Sequence, residues 1–241
     1  MNTVSTTLQD PLGRRFEYLR LSVTDACNFK CVYCLPDGFR ATPGAPRALS
    51  LDEIERLLAG MAALGIWKIR LTGGEPTLRR DLVEIVARAR ATPGIRRVAL
   101  STNGDRLDAL ARPLAAAGLS QVNVSVDHPD APGFAAVTGK DRLAGVRAGI
   151  EAALGAGLRV KVNVVRLAGI NDDAFEGFAE WTRRAPVTVR FIELMQTAGR
   201  EAFFARHHVS LDALRTRLVS EGWRAVAGGP ADGPAVEYGH A

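Results

Sequence analysis

The chain has 241 residues, 47 % of them hydrophobic, and a formal net charge of +5, which is enough apolar material for one large α/β domain. No apolar run approaches the roughly 18 residues of a membrane span, and the start MNTVSTTLQD has neither a basic nor an apolar leader region, so no membrane role is expected and a reducing cytoplasm is the expected compartment. The basic excess admits an anionic ligand, yet no Lys/Arg block is long enough to read as a nucleic-acid tract.

In chain order, a first strand is predicted over Leu19–Thr24, followed at once by the three cysteines of the chain, Cys27, Cys31 and Cys34. Ser50 opens a helix whose Glu53 completes a capping box; Ile54, Leu57, Leu58, Met61 and Leu64 fall on one face before Gly65 stops it. Further strands are predicted over Trp67–Thr72, Arg97–Thr102, Gln121–Asp127, Arg159–Val165 and Val187–Glu193. Between and after them, helices are predicted over Asp81–Arg90, Leu107–Ala117, Arg142–Ala156, Ala174–Thr182 and Leu211–Glu221, with Pro113 expected to kink or restart the second of these. Repeated β–α units with short loops predict a parallel sheet with right-handed crossovers, curled into a partial barrel or left open and doubly wound. Ala41–Arg47 reads as a loop.

The strands carry a second signal. One phase holds Arg20, Ser22 and Thr24, then Lys68, Arg70 and Thr72, Ser101 and Asn103, Asn123, Ser125 and Asp127, Lys161 and Asn163, and Thr188 and Arg190. The other phase is mostly Val, Leu and Ile. A filled barrel would bury apolar layers, so a polar lining in strand after strand implies a lumen that takes a polar, anionic ligand. One water-facing side of an open sheet is the alternative, and ion pairing of the lumen cations with Asp127 or Glu193 is the competing role for those residues.

The cysteines form a CxxxCxxC run. Three soft thiolates suit an iron–sulfur cluster in which three irons take cysteine and the fourth keeps an open position. Structural zinc would want a fourth ligand, and no Cys or His lies nearby in sequence; zinc completed by a distant His and plain packing cysteines stay open as readings. A disulfide framework fits poorly, because the count is odd and the spacing tight.

The run LRLSVTDACNFKCVYCLPDG, followed by LTGGEPTLRRDL, resembles the radical S-adenosylmethionine superfamily. The stretches STNGDRL, VNVSVD, VKVNVV and RFIELM are similar in order and spacing to the GTP 3′,8-cyclase family, which begins molybdenum cofactor synthesis. The resemblance runs from about Phe16 to about His240. It implies a partial (β/α)6 TIM-like barrel, a parallel sheet with outer helices, spanning 19–222 after an N-terminal arm of residues 1–18. It implies further that Cys27, Cys31 and Cys34 hold a [4Fe–4S] cluster whose unique iron chelates S-adenosylmethionine. Tyr33, Gly74, Glu75, Ser125 and Met195 would contact that cofactor: Tyr33 flanking the adenosine, Met195 near the adenine and Glu75 receiving the ammonium. Arg20, Arg70, Ser101 and Lys161 would contact GTP; Ser101 stands where the family usually has threonine and keeps the hydroxyl.

The implied reaction is reductive cleavage of S-adenosylmethionine to a 5′-deoxyadenosyl radical, which takes hydrogen from C3′ of GTP so that C3′ joins C8. An electron donor is required, and no side-chain acid or base is assigned. Family members continue into a region with three more cysteines and a second cluster, which this sequence does not contain. The expectation is therefore a shortened chain with impaired cyclisation, a poorly ordered stub over Gly228–Ala241 within 223–241, and an exposed face prone to self-association, a homodimer included. The same first motifs would also serve a radical enzyme acting on a peptide, or a non-catalytic cluster-binding remnant.

Overall fold

Six strands form one sheet in a computed structural model that describes residues 7–227 and 235–240. They are β1 (Tyr18–Ser22), β2 (Lys68–Thr72), β3 (Arg97–Thr102), β4 (Gln121–Ser125), β5 (Arg159–Arg166) and β6 (Val187–Glu193). All pair in parallel in sequence order. Each crossover carries a helix: α1 (Leu51–Ala63), α2 (Leu82–Ala91), α3 (Leu107–Ala116), α4 (Ala131–Thr138) with α5 (Leu143–Gly155), and α6 (Phe175–Arg184). After β6 come α7 (Glu201–His207) and α8 (Asp212–Ser220). Among the described residues β1 and β6 do not pair with each other, yet both line one cavity. The sheet is therefore an arc with its ends brought round, the partial barrel.

Register puts the polar phase on the concave side and the apolar phase under the helices. Arg20 lies beside Arg70, Arg70 beside Ala99, Ala99 beside Gln121 and Gln121 beside Arg159. One step along, Ser101, Asn123, Lys161 and Thr188 are neighbours, and then Ser125, Asn163 and Arg190. The alternate residues Leu21, Ile69, Leu71, Val98, Leu100, Val122, Val124, Val160 and Val162 are buried in one cluster with Ile54, Leu58, Ile85, Leu114 and Ile150 of the helices. A one-residue slip would put every arginine into that layer, so burial of the apolar face fixes the position of the cations.

The α1 capping box forms as expected: Ser50 Oγ accepts from the Glu53 amide and the Glu53 carboxylate accepts from the Ser50 amide. Several expectations need correction. β1 ends at Ser22 and β4 at Ser125, short of Thr24 and Asp127, because both chains turn there into site loops. α3 does not restart at Pro113 but runs through it as one helix; Leu107, Ala111 and Leu114 are buried in the core cluster, and that burial outweighs the one missing donor. α4 and α7 were not anticipated. The expected stub is in part ordered: β8 (Glu237–Gly239) pairs antiparallel with β7 (Arg224–Val226), and Trp223 packs edge-on against His240. The rest of that stretch, residues 228–234 and 241, lies outside the described residues.

Candidate active site in the barrel lumen

The cysteine loop leaves the top of β1 and is held from three sides. Phe29, 2 % exposed, packs edge-to-face on Phe134 of α4 with centroids 6.1 Å apart. The Lys30 and Val32 amides donate to the carbonyls of Thr138 and Val137 at the end of the same helix, 3.0 and 2.9 Å. Asn28 accepts from Asn103 Nδ2 (2.8 Å) and donates to Asp105 (2.7 Å), which also takes Arg142. These anchors order the loop without involving a sulfur.

All three cysteines are free thiols; Cys27 and Cys31 are half-buried and Cys34 is exposed. Burial pushes Cys31 up to about 12, with Asp127 and the other two thiols adding to it. Burial also raises Cys27, where Glu75 and Cys34 contribute, so the three groups feel one another. Three thiols in one loop, neutral because their thiolates would repel one another, form a donor set that a soft cation would deprotonate and stabilise. Among the described residues no three Cys, His, Asp or Glu side chains converge tightly enough for a single metal ion. A cluster, which takes each thiolate on a different iron, fits the wider arrangement better than zinc does.

The Gly73-Gly74-Glu75-Pro76 turn follows β2. A Cβ on Gly73 would lie 2.2 Å from the Thr24 carbonyl oxygen, and one on Gly74 2.4 Å from that of Ala26. The Gly74 and Glu75 amides donate to those same carbonyls, each at 2.7 Å. The glycines thus admit the backbone just ahead of Cys27. The Glu75 carboxylate, 1 % exposed, accepts from Thr77 N (2.9 Å), Thr77 Oγ1 (2.6 Å), Thr102 Oγ1 (2.7 Å) and Asn103 N (2.6 Å). Burial raises its pKa despite these four donors. In this structure it clamps the ends of β2 and β3 together, with three of these bonds on Oε1 and one on Oε2.

Below the loop the lumen holds a cavity of about 920 Å³, within the range of small-molecule sites. Arg20, Lys68, Arg70, Lys161 and Arg190 line it from the polar phase of the strands, while Phe191 points to the other face of β6 and packs on Phe175 of α6. Among the described residues Arg20, Arg70 and Arg190 enter no ion pair, and Lys161 meets only Glu237 at 3.9 Å. Asp127 and Glu193 do not serve them: Asp127 takes Tyr33 and the Val165 amide, while Glu193 takes the Leu211 amide and His208. Burial, with Arg190 and Arg20 nearby, lowers the Arg70 pKa. The Asn123 amide, with its oxygen toward the guanidinium, accepts from Arg70 at 2.8 and 3.1 Å, and Tyr18 sits under the same side chain at 5.4 Å. These partners hold Arg70 in place and leave its charge uncompensated. Ser101 is half-buried, beside Asn123 in register.

Of the residues expected at the cofactor, Tyr33 donates its hydroxyl to buried Asp127 at 2.9 Å. Ser125 is half-buried beside Asn163, whose buried Oδ1 has no partner among the described residues. An orphaned acceptor in the lumen next to a hydroxyl is what a site for a polar ligand requires. Met195 stands apart, 77 % exposed on the segment after β6. Lys68, Arg190 and Asn163 were not singled out from sequence, although all three sit in its polar strand phase. Arg200, which reaches the Val32 carbonyl from across the fold, left no sequence signal.

Residues 21–182 match the family described as the radical SAM superfamily. The chain is 52 % identical over 238 residues to the GTP 3′,8-cyclase of Edwardsiella ictaluri (strain 93-146), covering 97 % of this chain and 71 % of that protein. It is 49 % identical over 234 residues to the GTP 3′,8-cyclase of Stenotrophomonas maltophilia (strain K279a), covering 97 % and 72 %. Among solved structures, SuiB of Streptococcus suis bound to S-adenosylmethionine superposes with a TM-score of 0.67 at 17 % identity, over 85 % of this chain and 47 % of that one. Methylornithine synthase superposes with a TM-score of 0.61 at 16 % identity, over 85 % and 61 %; at such identities the likeness speaks for the fold. With a thiol loop at the mouth of a parallel β/α arc, a match over most of the chain and relatives near half identity, the chain belongs to the radical SAM superfamily and, within it, to the GTP 3′,8-cyclase family.

Proposed function

We propose that this chain binds GTP in its lumen and converts it to (8S)-3′,8-cyclo-7,8-dihydroguanosine 5′-triphosphate, in molybdenum cofactor synthesis. The observation that carries the reading is a set of lumen cations without counter-ions among the described residues: Arg20, Arg70 and Arg190 face the cavity with no ion pair there, and Lys161 lies beside them. Uncompensated guanidinium groups are costly to desolvate, and a triphosphate offsets that cost through charge-assisted, partly bidentate hydrogen bonds. A peptide would leave the same charges unmatched.

Cys27, Cys31 and Cys34 would hold the [4Fe–4S] cluster, and Tyr33, Gly74, Glu75, Ser125 and Met195 would surround S-adenosylmethionine. When bound and given one electron by a low-potential donor, this pair supplies a primary carbon radical. The chain's own part is placement. Arg20, Arg70, Ser101 and Lys161 hold the nucleotide so that its C3′ faces the mouth of the lumen, since a misplacement of about 1 Å can cost a hundredfold in rate. No protein acid or base is assigned.

The test is an anaerobic reaction of reconstituted chain with S-adenosylmethionine, a chemical reductant and GTP deuterated at C3′. Deuterium in the 5′-deoxyadenosine supports the reading. Unlabelled 5′-deoxyadenosine from a chain that binds GTP would mark impaired cyclisation; unlabelled 5′-deoxyadenosine from a chain that does not bind GTP overturns the reading.

A further inference from the structure

Arg200 immediately precedes α7, and its side chain crosses to the cysteine loop, where Nη2 donates to the carbonyl of Val32. Val32 lies between Cys31 and Cys34. The guanidinium carbon sits 4.6 Å from the centroid of the Phe203 ring, and Phe203 packs with Val32 and Tyr33 around Leu167 and Leu194. Nε is buried and has no partner among the described residues. The side chain is therefore fixed at one end by the loop backbone and on one face by an aromatic ring, while a buried donor is left over.

Two buried carboxylates adjoin the same loop: Asp127 accepts from Tyr33, and the Glu75 amide donates to the Ala26 carbonyl. Arg200 brings a cation to the loop backbone between Cys31 and Cys34. We propose that Arg200, held at the loop by its bond to Val32, is the counter-charge that makes the cluster reducible. The proposal rests on the reading of Cys27, Cys31 and Cys34 as cluster ligands. Reduction takes one electron from a low-potential donor onto a centre already anionic through its thiolates. A half-buried cation at the loop stabilises the reduced state and raises the potential; removing it lowers the potential. The leftover Nε–H adds a donor at the same edge of the loop, and hydrogen bonds near cluster sulfurs act in the same direction.

The experiment uses the whole chain, reconstituted anaerobically as wild type, Arg200→Lys, Arg200→Gln and Arg200→Met. Iron content and iron–sulfur absorption are read first, then the midpoint potential by redox titration followed by electron paramagnetic resonance. The expected result is near-normal loading in all four, a clear shift to more negative potential in Arg200→Gln and Arg200→Met, and recovery of most of that shift in Arg200→Lys. A role confined to holding the loop would change loading and leave the potential of the loaded fraction alone. Equal potentials in Arg200→Lys and Arg200→Gln, or an unshifted Arg200→Met, would overturn the proposal. Should Arg200→Met fail to load, the Lys and Gln pair decides it. Wild-type chain with no iron–sulfur absorption would overturn the ligand reading itself, and this proposal with it.

Discussion

The Tyr33 hydroxyl donates to the Asp127 carboxylate at 2.9 Å, joining the residue between two of the thiols to the segment just past β4. Asp127 is 1 % exposed and accepts one further bond, from the Val165 amide at 2.8 Å. Burial outweighs both donors and lifts its pKa to about 6 from an ordinary 3.8. The folded chain therefore holds a proton between about pH 4 and pH 6 that the unfolded chain has released, and stability falls as pH rises through this window. The penalty, complete above about pH 6, is on the order of 3 kcal/mol. Asp127→Asn keeps an acceptor for Val165 and removes the charge. Urea unfolding of the cluster-free protein at several pH values should show the wild-type slope between pH 4 and 6 and a flatter profile in the variant.

Changing Cys27, Cys31 or Cys34 to Ala should each abolish a cluster of about four irons per chain, measured by iron and sulfide analysis after anaerobic reconstitution. Stoichiometric zinc without iron–sulfur absorption would show that the loop is a zinc site instead.

Arg20→Ala, Arg70→Ala and Lys161→Ala should each weaken GTP binding by roughly ten- to a hundredfold, the value of about 1.5–3 kcal/mol for a charge-assisted contact. Reductive cleavage of S-adenosylmethionine should stay nearly intact in all three. Binding measured by calorimetry and 5′-deoxyadenosine by chromatography separate the two; parallel loss of both would mean that these side chains hold the barrel together.

Gly74→Ala places a methyl group 2.4 Å from the Ala26 carbonyl oxygen, a backbone contact that cannot swing aside. The loop ahead of Cys27 must shift, at a cost of about 1–3 kcal/mol. The expected readouts are a lower urea midpoint in the cluster-free chain and poor cluster loading after reconstitution. Normal loading would show that the turn yields without disturbing the thiols.

The six strands were legible because burial acts on them directly: Leu21, Ile69, Val98, Val122 and Val160 are apolar in one phase, and the lumen cations fall in the other. Family resemblance then selected Arg20, Arg70, Ser101 and Lys161 from that polar phase. Sequence was silent where a contact partner decides the outcome. No helix is predicted over Ala131–Thr138, which carries a Pro and a Gly, yet its Asp130 cap and the burial of Phe134 and Val137 make it α4, the helix that docks the cysteine loop. The reach of Arg200 to Val32 joins residues far apart in the chain, and no local pattern announces it. Glu75 shows the same limit, since its position was readable while its four hydrogen-bond donors were not.

Because the first and last strands of the arc share no ladder among the described residues, the perimeter of the lumen is not fixed by strand number and stagger as it is in a closed ring. The two edges can splay or draw together without breaking a hydrogen bond inside the sheet. The width of the chamber is then set by what bridges the seam, and here charge occupies it: Tyr18 on the first strand lies within electrostatic reach of Arg190 on the last, with Arg20 and Arg70 beside them. Like charges press such a seam open, and an anionic guest draws it shut, so the molecule that fills the chamber also sets its girth.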